Sequence, residues 1–235
     1  LADFLVWPSK TLRIGEAQFT EAAMSRTGGL SLEGSERTTK TDVGFWKADL
    51  KNIPIVSAAH WRVWQAIATE LGGRSGLIAV PAVSRFSAPY VDDIESEPTI
   101  TNHSDGASFS DGTGYRNRSI ILRTSAQANL GSTIVSIEAQ HAGDDLTGIK
   151  FSYQYALYKT GSIISKSGNI WQMRVFPAIR QTIPAGADLE TDDPMCLMHL
   201  ATDTEMTAEE KPGKLCFPSI SLKEAVDYWT DLANS

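Results

Sequence analysis

The stretch Ile149-Lys150-Phe151-Ser152-Tyr153-Gln154-Tyr155-Ala156-Leu157 decides how this chain is read. Large apolar residues alternate with smaller or polar ones, the period of a strand with one face buried. A second run, Asn169 to Phe176, repeats the signal. Working outward, Ser119 to Arg123, Ser132 to Gln140, Met195 to Ala201 and Lys214 to Leu222 are strand-like as well. Turn residues sit between them at Gly143-Asp144-Asp145, Thr160-Gly161, Ser167-Gly168-Asn169 and Pro212-Gly213. Strands at short spacing separated by turns predict a sandwich or a barrel.

The N-terminal part is more mixed. Phe4 to Trp7 and Thr11 to Ile14 are short apolar runs that predict a strand and its neighbour, and Gly28-Gly29 with Gly34 predict a flexible turn. Thr41 to Leu50 alternates, with Gly44, Trp46, Ala48 and Leu50 on the face expected to be buried. The clearest helix follows over 58–71. Ser57 is its N-cap, Trp61, Trp64, Ala68 and Leu71 form its apolar stripe, and Gly72-Gly73 stops it. Gly76 to Val80 returns as a buried strand ended by Pro81. Residues 92–115, rich in Asp, Ser, Thr and Gly, predict a long exposed loop or arm with room for a short hairpin. Ser221 and Glu224 have the spacing of a capping box, and we expect a strand to about Leu222 and then a short helix. Residues 1–90 and 119–235 are thus read together as one β-rich unit.

Composition narrows the function classes. The 235 residues suffice for a sizeable core, and the apolar (42%) and charged (21%) fractions argue against wholesale disorder. A net charge of −7, from acidic residues read as spread along the chain, disfavours phosphate backbones as the main partner. No apolar stretch approaches the length of a membrane span. The N-terminus lacks the basic region of a signal peptide, and Leu1 in place of Met suggests processing upstream. Cys196 and Cys216 are expected to pack as small buried side chains, free of a disulfide, in a protein folded in a reducing cytoplasm.

Chemistry-bearing patterns are sparse. The doublets Asp92-Asp93, Asp144-Asp145 and Asp192-Asp193 lie beside turn residues, and adjacent strand residues point to opposite faces, so surface turns are the better reading. Asp105-Gly106 and Asp111-Gly112 could bend oxygens around Ca²⁺ but lack the EF-hand spacing. His60, His103, His141 and His199 have no metal-type spacing, and nucleophile-elbow, phosphate-loop and dinucleotide motifs are absent. Neither catalysis, metal nor cofactor is expected. The aromatics Tyr153, Tyr155, Tyr158 and Trp171 leave open a sugar-stacking platform on a carbohydrate-binding sandwich; a cell-wall hydrolase is the weaker alternative, with no carboxylate pair to support it.

The order of several motifs adds a resemblance. Thr27-Gly-Gly-Leu30 precedes Gly44-Phe-Trp46, and Leu71-Gly-Gly-Arg-Ser-Gly76 runs into Leu77-Ile-Ala-Val-Pro81. Phe151-Ser-Tyr153, Ala156-Leu-Tyr158 and Val175-Phe-Pro-Ala-Ile-Arg180 follow. Then come Ile183-Pro-Ala-Gly-Ala187, Asp193-Pro-Met-Cys-Leu-Met-His-Leu200, Lys211-Pro-Gly213 and Lys223-Glu-Ala225. The series resembles the distal-tail-like protein family of long, non-contractile-tailed bacteriophages and related gene-transfer particles, most strongly from Ile149 to Ala225. Residues 92–115 have no counterpart in that pattern, and Lys223 stands where the family usually has an apolar residue. The resemblance implies a β-rich belt domain with a β-sandwich region. It also implies a structural virion protein that forms a ring, expected as a hexamer, at the tail tip. Its partners would be copies of itself, the tail tube protein and the hub and tip proteins, with DNA passing through the ring; assembly would take place in the host cytoplasm. Trp46, Trp171, Tyr153 and Tyr155 are the candidate interface or glycan-contact residues.

Overall fold

The computed structural model describes residues 4–30, 36–82, 88–91, 99–101, 115–117, 119–208 and 215–234. In chain order the elements are β1 (Leu5–Val6), β2 (Glu16–Leu30), β3 (Glu36–Lys51), α1 (Ala58–Leu71), β4 (Ile78–Pro81), β5 (Thr99–Thr101) and β6 (Tyr115–Asn117). They continue with β7 (Ile121–Thr124), β8 (Ile134–His141), β9 (Lys150–Tyr153), β10 (Ala156–Ser167), β11 (Ile170–Phe176), β12 (Asp188–Leu189), β13 (Met195–Leu200), β14 (Ile220–Glu224) and α2 (Val226–Asn234). The protein is mainly β, as the alternation predicts.

Two six-stranded sheets carry the fold. The first has the order β1-β4-β13-β14-β3-β2 and the second β12-β7-β8-β11-β10-β9. The second sheet closes on itself. One residue past β12, Glu190 exchanges both backbone hydrogen bonds with Ser152 of β9, at 2.8 and 2.9 Å. A strand edge that would otherwise expose unpaired amides is thereby consumed, which is what barrel closure achieves. Inward-facing Leu122, Val135, Ile137, Phe151, Tyr158, Met173 and Leu189 fill the interior.

Ile149 to Leu157 departs from the expected single strand. It forms a hairpin: Tyr153 pairs with Ala156 across a two-residue turn. Gln154 (φ 48) and Tyr155 (φ 70) both take left-handed backbone, the signature of a type I′ turn, without the Asn-Gly that normally announces one. Other local expectations shift for similar reasons. Thr11–Ile14 forms no strand; Thr11 and Leu12 close a turn onto the Pro8 carbonyl. Gly28 and Gly29 lie within β2, at a register shift between Thr27 and Leu30. Thr160-Gly161 is a bulge inside β10, not a turn. Ser221 does not cap a helix; it pairs with Asp49 in the β14–β3 ladder, and its hydroxyl donates to the Asp49 carboxylate at 2.6 Å.

Helix α1 begins and ends where the sequence predicts. Ser57 Oγ accepts from the His60 amide, and left-handed Gly72 (φ 55) returns its N–H to Ala68. Trp64, Ile67 and Leu71 are buried; of the expected stripe, Trp61 and Ala68 are partly buried and pack against the same core. Trp64 packs edge-on to Trp7 and donates its indole N–H to the Met206 carbonyl, seating the helix on the first sheet. Helix α2 follows β14 directly and buries Trp229 in the barrel's core cluster. Of the loop or arm expected over 92–115, only Thr99–Thr101 and Tyr115 are described; with residues 116–117 they form an antiparallel pair. The Asp105 to Gly112 segment, His103, Gly34 and Pro212-Gly213 lie outside the described residues.

Candidate functional site

The two sheets meet at a buried ion pair. The Arg180 and Glu224 side chains, 9% and 2% exposed as residues, bond at 2.7 Å (Nε to Oε1) and 3.1 Å (Nη2 to Oε2). Glu224 is the last residue of β14, and β14 pairs with β3 only over Lys47–Leu50. Beyond Lys47, β3 loses that neighbour. The ion pair takes over: Glu224 Oε2 accepts the Trp46 amide at 2.9 Å, and Arg180 Nη2 donates to the Gly44 carbonyl. A salt bridge thus stands in for the missing strand and satisfies two buried backbone groups. From the barrel side, the Tyr158 hydroxyl accepts the Arg180 amide at 2.9 Å. Burial pushes the Tyr158 phenol well above its ordinary range, so it stays neutral.

Gly44 is required by close approach. A Cβ there would enter the Phe176 ring, which is wedged edge-on against Trp46 at 5.4 Å. The motifs Gly44-Phe-Trp46, Ala156-Leu-Tyr158, Val175-Phe-Pro-Ala-Ile-Arg180 and Lys223-Glu-Ala225 therefore converge on one junction. Sequence spacing alone could not show this, because Gly44 and Glu224 lie at opposite ends of the chain.

The structure separates the four candidate contact residues. Trp46 is 1% exposed and donates its indole N–H to the Leu157 carbonyl, so it holds the sheets together and offers nothing to an outside partner. Trp171 is 4% exposed, and the Lys166 ammonium lies 3.7 Å from its ring centroid. That removes the open indole face a sugar would stack on. Tyr153 and Tyr155 are half-buried at the β9–β10 turn; Tyr155 packs edge-on to Phe4. No shared aromatic platform joins the four.

Charge is segregated rather than spread. From Leu146 to Ala187 there is no Asp or Glu, whereas Lys150, Lys159, Lys166, Arg174 and Arg180 supply five positive charges; the remainder of the chain therefore carries −12 against the overall −7. Lys150 and Lys159 sit directly opposite each other on β9 and β10, a destabilising like-charge pair. Lys159 bonds Glu21 at 2.8 Å. Burial, and then Lys159, hold the Lys150 ammonium below its ordinary range. A pocket of about 300 Å³ opens here, lined by Glu21, Lys159, Arg174, Thr133 and Ser162. Among the described residues Arg174 makes no ion pair.

Two other surfaces stand out. Among the described residues, β3 from Glu36 to Phe45 has β2 as its one strand neighbour, so the pair runs past the first sheet as a two-stranded ribbon. Around the bridge between Ile55 and Cys216, Val56, Leu215 and Phe217 are exposed. Asp144-Asp145 is a surface turn, in which Asp145 accepts the Thr147 amide at 2.8 Å; the hydrogen bonds from Thr147 lower its pKa. Asp192 and Asp193 both donate their amides to Glu190, again a turn. His60 and His199 meet backbone carbonyls of Pro54 and Leu200. Among the described residues no His, Cys, Asp or Glu group is placed to hold a metal ion, and no helix is long and apolar enough to cross a membrane.

No protein-family model matches the chain, and no curated protein matches it.

Proposed function

We propose that this chain is a structural ring protein of a phage-type tail tip, joining the tail tube to the hub and tip proteins as a self-assembled oligomer, expected to be a hexamer. The observation that carries the reading is the junction at Arg180 and Glu224. Four of the segments on which the distal-tail resemblance rests, one from β3, two from the β10–β11 hairpin and its exit, and one from the end of β14, meet in one buried junction between the first sheet and the barrel. A belt-like sheet with a second β-unit fixed beside it suits a part that transmits force between neighbours. The β2–β3 ribbon extends from the same sheet and supplies backbone edges of the kind that pair between subunits.

The test is cryo-electron microscopy of the particle that carries this chain. We expect density for it as a closed ring between tube and hub. A particle whose tail tip lacks the chain overturns the assignment.

A further inference from the structure

The basic side of the barrel combines an unpaired strand edge, exposed apolar side chains and a pocket. Three features coincide there. The outer edge of β10 from Gly161 to Ser167 has no strand partner among the described residues, since β9 pairs only as far as Lys159. That edge carries Ile163 and Ile164, each 44% exposed, with Ile170 at 41% across the hairpin. Beside it lies the pocket lined by Lys159, Arg174 and, among the described residues, one carboxylate, Glu21; Lys150 stands opposite Lys159 across the β9–β10 pair. Natural edge strands are usually blunted by charge, and here the one lysine within the free stretch, Lys166, lies over Trp171.

We infer that the free edge of β10 and the Lys159–Arg174 pocket together receive an extended, carboxylate-bearing segment of a second copy of this chain. Strand addition satisfies the backbone edge, the isoleucines become buried, and an acidic side chain enters the pocket. The distribution of charge along the chain selects a second copy as the occupant. Setting aside the buried Arg180–Glu224 pair, the Leu146 to Ala187 region is +4 with no acidic residue, while the rest of the same polypeptide is −11, so each copy carries both halves of the complementarity. A contact between two different surfaces of identical chains is head-to-tail and closes into a ring when the rotation permits. The inference rests on the ring reading above and assigns one of its interfaces.

The experiment is sedimentation velocity of the full chain over a concentration series, in low salt and in about 1 M NaCl, where the screening length falls to ~3 Å. Wild type is compared with Arg174→Glu and Ile164→Lys, both at exposed positions, with circular dichroism to verify folding. The expected result is a wild-type oligomer that weakens in high salt, with each variant raising the dissociation constant on the order of tenfold or more. Oligomers that form equally well in both folded variants and in both salts overturn this interface while leaving the ring reading intact. A wild-type chain that stays monomeric, including one that binds an acidic tail neighbour instead, overturns the second-copy assignment and the self-assembled ring together.

Discussion

At the scale of single residues, the fold turns on Glu224, which meets Arg180 and the Trp46 amide at once. Glu224→Ala leaves a buried guanidinium and a buried amide unpaired, and we expect a loss of about 3–5 kcal/mol in urea unfolding. Buried ion pairs can often be replaced by apolar residues at little cost. Here the double variant Arg180→Met with Glu224→Leu should stay at least about 1 kcal/mol below wild type, because the Trp46 amide and the Gly44 carbonyl lose their partners. Full recovery of stability would show that the pair does not substitute for a strand. Burial raises the Cys196 thiol well above its ordinary range, whereas Cys216 is only half-buried. A thiol reagent at mildly alkaline pH should therefore modify one cysteine quickly, at Cys216, and the other only on unfolding. Asp145 gives the pH dependence. Its folded carboxyl titrates below the ordinary value, so its contribution is present above that value and disappears as pH falls through the lowered one. The stability difference between wild type and Asp145→Asn should accordingly shrink from pH 5 towards pH 2, both set around an ordinary carboxyl pKa of about 3.9.

At the scale of elements, how much the sequence disclosed depended on whether its signal was local. Helix α1 was legible because its cap, stripe and stop are all written within 57–72. The Trp46 face of β3 was legible because period-2 alternation survives on a strand that buries one side. The β9–β10 turn was not, since Gln154 and Tyr155 are poor residues for left-handed backbone and tertiary pairing holds them there. Gln154 is exposed, so Gln154→Asn should relieve part of that cost and stabilise the protein by roughly 0.5 kcal/mol, read from the urea midpoint; a loss of stability would contradict the I′ turn. The bulge at Thr160-Gly161 was misread for a related reason, because glycine signals a turn and a bulge alike. Gly44 looked like an ordinary strand residue, and only the Phe176 ring beside it shows why a side chain is excluded. Gly44→Ala should cost about 1–3 kcal/mol through displacement of Phe176 and Trp46.

At the scale of the whole molecule, two interlocked β-units leave different surfaces for different uses. The barrel is closed by the Ser152–Glu190 pairing and keeps an open stretch of backbone along the β10 edge, whereas the first sheet presents the long β2–β3 ribbon. The two tryptophans singled out from the sequence are buried: Trp46 ties sheet to barrel and Trp171 is covered by Lys166. Those indoles offer no open face for stacking, and the segregation of charge, hidden in the net value of the whole chain, favours assembly. Assembly is also the claim most open to direct test. Negative-stain electron microscopy of the purified full-length chain at high concentration and low salt should show closed rings of uniform diameter; a field of single, separate particles at every concentration would contradict the account.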